Sequence, residues 1–236
     1  MRVVPIGERL AIRAAAPETE LPGPLKGRVE AAWADIKRRN PLAEDGRIFS
    51  VTGISSERIE GRFVPYRWRA AQVARPELKQ GLAVTALAVS GLLFCADGVV
   101  IGRRSPHVGH PGLWELVPSG GVSADPPDWR GAILSELSEE VGLQERDIAS
   151  VVPFCLVEDE KDAVVDIGIR IETSLTGAEI VDRHRSLAAK EYGEIIVSAV
   201  SQASALLSSR EPEVVPTSLA LLRFHLSRAP SGRATR

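Results

Sequence analysis

Apolar positions along the chain fall into two regimes. Up to about residue 80 they come in short runs broken by prolines; from residue 83 they lengthen and take clear strand or helix spacing. In the first part, Val3, Val4 and Ile6, then Leu10 and Ile12, predict two short strands. Residues 17–24 predict a loop. Val29, Ala32, Trp33 and Ile36 share one helical face, so residues 26–40 predict a helix. Lys37, Arg38 and Arg39 suit its C-terminal end, and Asn40-Pro41 stops it. Residues 49–54 and 58–65 predict a hairpin turning through Ser55-Ser56-Glu57, and residues 66–72 a helix. The polar, proline-broken stretch 74–81 predicts a boundary.

Beyond it, residues 83–94 predict a buried strand and Asp97-Gly98 a tight turn. Val99, Val100 and Ile101 then return as the partner strand, ending at Arg103-Arg104. Residues 114–117 predict a further strand that meets a breaker, Pro118-Ser119-Gly120-Gly121. Trp129, Ile133, Leu137 and Val141 recur every four residues and predict a helix with a buried stripe, stopped at Gly142. Asp125 stands as its cap, with Pro126 and Pro127 in the first turn and Asp128 near the positive end. Strands follow at 148–158 and 163–172, joined by an acidic turn. Residues 175–181 predict a loop with a short strand, 194–197 a last strand, and 198–209 and 216–228 two helices. Residues from Ala229 on predict a disordered tail.

Strands, a long helix, more strands and closing helices give an α/β (more narrowly α+β) fold: a mixed β-sheet sandwiched between helices, with an N-terminal α+β extension. The expected division is an extension over 1–80, a main domain over 81–228 and a tail over 229–236.

Composition changes this picture little. The formal net charge is −2 and apolar content is 44%. That supports a real core and argues against bulk nucleic-acid binding or a polybasic membrane patch. Cys95 and Cys155 sit far apart inside apolar strands and read as core thiols. The N-terminus has no long apolar run, so the expectation is a cytoplasmic protein without signal peptide or anchor.

The candidate chemistry lies on the long helix. Glu136, Glu139 and Glu140 are spaced i, i+3 and i+4, which puts three like charges on one face. A hard divalent cation between them would make sense of that, since Mg²⁺ takes carboxylate oxygens and keeps waters for a phosphate; a solvated acidic face is the competing explanation. The acidic turn with Glu158, Asp159, Glu160 and Asp162 could face the same helix or be a solvated tip. Arg103 and Arg104 should point to opposite faces, so only one can fork onto a phosphate. Gly120 and Gly121 would let the backbone approach metal or phosphate closely, through positive φ, or form a plain tight turn. His107 and His110 read as loop residues without a third ligand at metal spacing, Trp114 as a core anchor, and Ser119 as non-catalytic.

The stretch WELVPSGGVSADPPDWRGAILSELSEEVGL resembles the signature of the Nudix hydrolases. That signature runs Gly, five residues, Glu, seven residues, Arg-Glu, an aliphatic, any residue, Glu-Glu, any residue, Gly, an aliphatic. Gly121 takes the first glycine, Glu136 the glutamate after the arginine, Leu137 the aliphatic, Glu139 and Glu140 the pair, and Gly142 and Leu143 the close. Two positions depart: Pro127 stands where the early glutamate belongs, and Ser135 where the arginine does. The resemblance spans about residues 82–228. It implies a Nudix-type sheet between helical layers and hydrolysis of the diphosphate of a nucleoside diphosphate linked to another moiety, such as a nucleotide sugar. It implies Mg²⁺, with Mn²⁺ as the alternative, held by Glu136, Glu139 and Glu140. Glu139 and Glu140 are then the catalytic carboxylates, and Arg104, Gly120 and Gly121 contact substrate. The partner is a small molecule, not nucleic acid or membrane, and a homodimer fits the family. The first eighty residues look like the extension of the UDP-glucose-cleaving branch. Two other functions stay open: a catalytically weakened domain that binds or senses a nucleotide, favoured by Pro127 and Ser135, and an isoprenoid diphosphate isomerase.

Overall fold

The computed structural model describes residues 1–15, 20–188 and 190–228; the expected tail over 229–236, and residues 17–19 of the expected loop over 17–24, lie outside the described residues. Among the described residues eleven strands join one mixed sheet. In chain order they are β1 (Arg2–Pro5), β2 (Ala11–Ala14), β3 (Arg47–Ile54), β4 (Arg58–Pro65), β5 (Ala86–Cys95), β6 (Gly98–Arg104), β7 (Trp114–Leu116), β8 (Ser119–Gly121), β9 (Ile148–Asp159), β10 (Val164–Thr173) and β11 (Tyr192–Ser198). The helices are α1 (Gly23–Arg39), α2 (Tyr66–Ala74), α3 (Lys79–Leu82), α4 (Trp129–Glu136), α5 (Gly177–Arg185), α6 (Val200–Ser209) and α7 (Pro216–Arg228).

The main path runs β1-β9-β10-β5-β3-β4-β2. β9 and β10 form a long antiparallel hairpin, and β10 lies parallel to β5. Strands from both sides of residue 80 enter this sheet: β1 pairs with β9, and β3 touches β5 through Ser50 and Ala86.

Alternation along the strands builds two apolar layers, one on each face. Val165, Ile167, Ile169 and Ile171 of β10 point to one face, where Ile133, Leu137 and Val141 of the helix that carries the signature glutamates (α4 and the turn Leu137–Val141 that continues it, together the box helix) and Ile180 of α5 cover them. Cys155 and Val157 of β9, with Ile101 and Leu116, point to the other, under Leu207 of α6 and Leu221 and Leu222 of α7. The sheet is thus sandwiched between helices, the α+β architecture that the pattern predicts. A satellite cluster joins Val29 and Ala32 of α1 to Trp68 and Ala71 of α2 and to Val64 of β4.

Several local expectations are corrected. β5 and β6 pair only at the turn, through Phe94–Val99 and Cys95–Gly98; β6 then leaves to pair with β7 and β11. Ser119-Gly120-Gly121 is not a turn but β8, which pairs with Ser90, Val89 and Ala88 of β5. The box helix starts later than expected: Asp128 caps it, accepting from the Arg130 backbone N–H at 2.9 Å. Asp125 instead pairs with Arg47. Residues 177–185 form a helix rather than a loop with a strand, because Thr176 and Glu179 close a capping box. Among the described residues no helix is long and apolar enough to cross a membrane.

Candidate active site

The box helix changes pitch where its carboxylates begin. Trp129–Glu136 is regular α-helix, and Leu137–Val141 is a single π turn that ends on Gly142 with φ +79°. A π turn is wider than an α turn, so residue i+3 is rotated further off the shared face than residue i+4. The three glutamates therefore part company. Glu140 is buried, at 2% exposure. Glu136 is half-buried, and Glu139 is exposed and takes a hydrogen bond from the Ser135 hydroxyl at 2.7 Å. Ser135, the residue in place of the arginine, thus holds the outermost carboxylate.

β8 supplies the floor. Gly120 sits so close to Glu136 that a Cβ there would lie 1.7 Å from Oε1. Neither Gly120 nor Gly121 has positive φ. The value of glycine at 120 is the space it leaves for a carboxylate, and Gly121 faces open space.

Around Glu140 lies a buried polar knot. The Ser119 backbone N–H donates to Glu140 Oε2 at 2.9 Å. The Tyr192 hydroxyl lies 2.7 Å from Glu115 Oε1 and 3.3 Å from Glu140 Oε2. The Arg104 guanidinium grips Glu115 with one nitrogen and Glu191 with the other. Glu140 Oε1 has no partner although it is buried. Burial, then Glu191, push the Glu140 carboxyl far above the usual range, against the pull of the Ser119 N–H. Burial, then the neighbouring Glu139, push Glu136 up to about 7. Burial also raises Glu115, and Arg104 and Tyr192 pull it back. Tyr192, raised by burial between two carboxylates, stays a hydrogen-bond donor.

Beside this knot opens a cleft of about 270 Å³ whose wall includes Ser119, Gly120, Arg104, Glu115 and Glu191. Of the two strand-end arginines, Arg104 lines it, and Arg103 lies over the Trp114 ring at 5.9 Å. The acidic turn divides. Asp159 and Asp162 line the cleft, Arg2 takes Glu158, and Glu160 is exposed. Asp166 joins them from mid-β10, buried, accepting from the Ser90 hydroxyl at 3.0 Å and from Thr217; burial raises it to about 6. His110 reaches the rim and His107 is exposed.

Sequence reasoning missed Glu115, Asp166, Glu191 and Tyr192. The first two carried a signal: an acid inside an otherwise apolar strand run must be paired or functional. Glu191 and Tyr192 carried none, since only the tertiary fold brings the start of β11 to the box.

Among the described residues no group of three or more His, Cys, Asp or Glu side chains stands ready-formed to hold a metal ion. The donor set still suits a hard cation. Glu140 offers an unpartnered oxygen, and burial, then neighbouring carboxylates, make Glu136 and Glu140 resist ionisation, a cost that a cation would offset.

No protein-family model matches the chain, and no curated protein matches it. Solved structures similar to it include DR0079 of Deinococcus radiodurans, with TM-score 0.47 and 15% identity over 58% of this chain and 81% of that one. The Nudix domain of Shewanella oneidensis NrtR, crystallised with ADP-ribose, gives TM-score 0.44 and 17% identity over 60% and 86%. The MutT protein of Methanosarcina mazei gives 0.43 and 18% over 61% and 95%. At these identities and TM-scores the likeness carries no argument about this chain.

Proposed function

We propose that the chain is a Nudix-type pyrophosphohydrolase that cleaves the diphosphate of a nucleoside diphosphate linked to another moiety, with Mg²⁺ or Mn²⁺. One observation carries this reading: a buried carboxylate, Glu140, with an orphan oxygen, next to a half-buried Glu136 set against β8 beside the cleft. Such a corner is expensive to ionise alone and sensible with a cation.

Glu136 and Glu140 would hold the ion; Glu139, expected as a third ligand, is turned outward onto Ser135 and would act beside it. When bound, the ion would neutralise charge growing on the diphosphate and make a water more acidic. Glu140 is fixed by Ser119 and Tyr192, so its free oxygen is aimed rather than mobile. Glu139, the carboxylate open to solvent, takes the proton of the attacking water. Arg104, whose Nε also donates to the Gly109 carbonyl, orients Glu115 and Glu191 in the wall of the cleft, and Gly120 keeps the floor low. The division at residue 80, a homodimer and a cytoplasmic location belong to the same proposal.

A nucleotide sensor is the second reading. It is favoured by Glu139 being turned outward onto Ser135. A panel of nucleotide sugars and dinucleotides with Mg²⁺ separates the two. Metal-dependent release of phosphate-bearing products, lost in Glu139→Gln, supports the enzyme; tight binding without turnover supports the sensor.

A further inference from the structure

The cleft does not end at the acidic corner. Arg69 of α2 forms part of its wall and also part of the wall of a second pocket, of about 300 Å³. This pocket lies between α2, the turn that follows it, and the β9–β10 turn. Its charged lining is Arg69, Lys79 and Lys161 against a single carboxylate, Asp162. The cleft has the opposite balance: Glu115, Asp159, Asp162, Asp166 and Glu191 against Arg69 and Arg104. The electrostatic sign therefore reverses across Arg69.

The two arginines also differ in commitment. Arg104 is held by two carboxylates. Arg69 makes no hydrogen bond or ion pair among the described residues, although it is half-buried. Burial lowers its pKa, and nearby Asp162 favours its charge. Lys161 Nζ is likewise without a partner among the described residues, while Lys79 Nζ donates to the Glu160 carbonyl at 2.7 Å. Half-buried guanidinium groups are normally paired, since five N–H donors lose water on burial.

We propose that this second pocket is an anion subsite: it takes a carboxylate or phosphate on the part of the substrate beyond the diphosphate, with Arg69 as its shared contact with the cleft. The proposal rests on the diphosphate reading of the cleft and adds the class of the linked moiety, which is anionic. A diphosphate set at the acidic corner leaves the remainder of the molecule to run past Arg69. A neutral remainder leaves Arg69 and Lys161 unpaired, and an anionic one pairs both.

Equilibrium binding tests this with Ca²⁺ in place of Mg²⁺, a hard cation that still neutralises the acidic corner for a diphosphate, with the probe checked to be intact after each titration. Two matched pairs serve as probes. UDP-glucuronate and UDP-glucose differ by a carboxylate, and NADPH and NADH by a phosphate. The wild type should bind the anionic member of one pair roughly tenfold more tightly, the size of a charge-assisted contact; which pair shows it separates carboxylate from phosphate. Arg69→Ala should bring that ratio to about one. Lys161→Ala, on an exposed turn where folding is not at stake, should lower it in part. A ratio near one in the wild type for both pairs, no binding of any probe, or a ratio unchanged in both variants would overturn the subsite. Absence of hydrolysis with Mg²⁺ alongside an intact, Arg69-dependent preference would remove the hydrolase reading and leave the subsite standing.

Discussion

Asp166→Asn should stabilise the protein at neutral and alkaline pH, although it deletes a satisfied side chain from the interior. Asp166 is 5% exposed and enclosed by β5, β9 and the start of α7. Its hydrogen bonds from Ser90 and Thr217 favour the ionised form, but burial and the nearby Glu115 and Asp159 outweigh them, so its pKa rises from 3.8 to about 6. The folded chain then holds this proton where the unfolded chain has lost it. Between about pH 4 and pH 6 stability falls as pH rises, and above pH 6 the full cost stands, about 3 kcal/mol. Asparagine keeps the shape and an acceptor oxygen and carries no charge. Its amide N–H group needs an acceptor, which reduces the gain to about 1–3 kcal/mol. For a chain of this size that is a rise in Tm of roughly 3–10 °C. Urea or thermal melts at pH 4 and pH 8, in EDTA, measure it. At pH 4 the variant should equal wild type or fall below it by up to about 2 kcal/mol, the amide cost alone, and at pH 8 it should be the more stable. A variant less stable than wild type at pH 8, or an equal difference at both pH values, would refute the reasoning.

Three further outcomes follow from the geometry. Arg104→Ala should cost about 3–5 kcal/mol at pH 8 in denaturant unfolding, because Glu115 is left buried and unpaired; the cost should shrink towards pH 4 as Glu115 takes a proton. Gly120→Ala should leave Tm nearly unchanged, since the backbone there suits any residue, but it should push the Glu136 carboxylate out of place. A displacement of that kind lowers kcat/KM on the order of a hundredfold. Thr176→Ala should lower stability by about 1 kcal/mol with no effect on catalysis, as loss of a helix cap.

How much of this was legible beforehand depends on whether the cause is local. The β3–β4 hairpin, α1, α7 and the β9–β10 hairpin follow from periodicity and breakers, because their patterns are long and uninterrupted. The helix at 177–185 was also written in the chain, as Thr176 three residues before Glu179, and was overlooked in favour of the apolar residues around it. The strand at 119–121 was not legible: Gly-Gly normally breaks a strand, and only β5 alongside makes it pair. Within the site, the box glutamates were visible, but their separation was not. Spacing assumes an α-helix, and the π turn at Leu137–Val141 turns Glu139 out and Glu140 in. Glu191 reaches Arg104 across 87 residues of chain, and Arg69 reaches the cleft from the extension. Contacts of that span leave no mark in local pattern.

On the proposed function, Glu140 with Glu136 is held in readiness for a divalent cation. Titrating Mn²⁺ into wild type and Glu140→Gln, followed by electron paramagnetic resonance, tests it without any substrate. The wild type should bind the ion, with Mg²⁺ competing, and the variant should bind it at least tenfold more weakly. Equal Mn²⁺ binding by the two proteins, or none by the wild type, would contradict it.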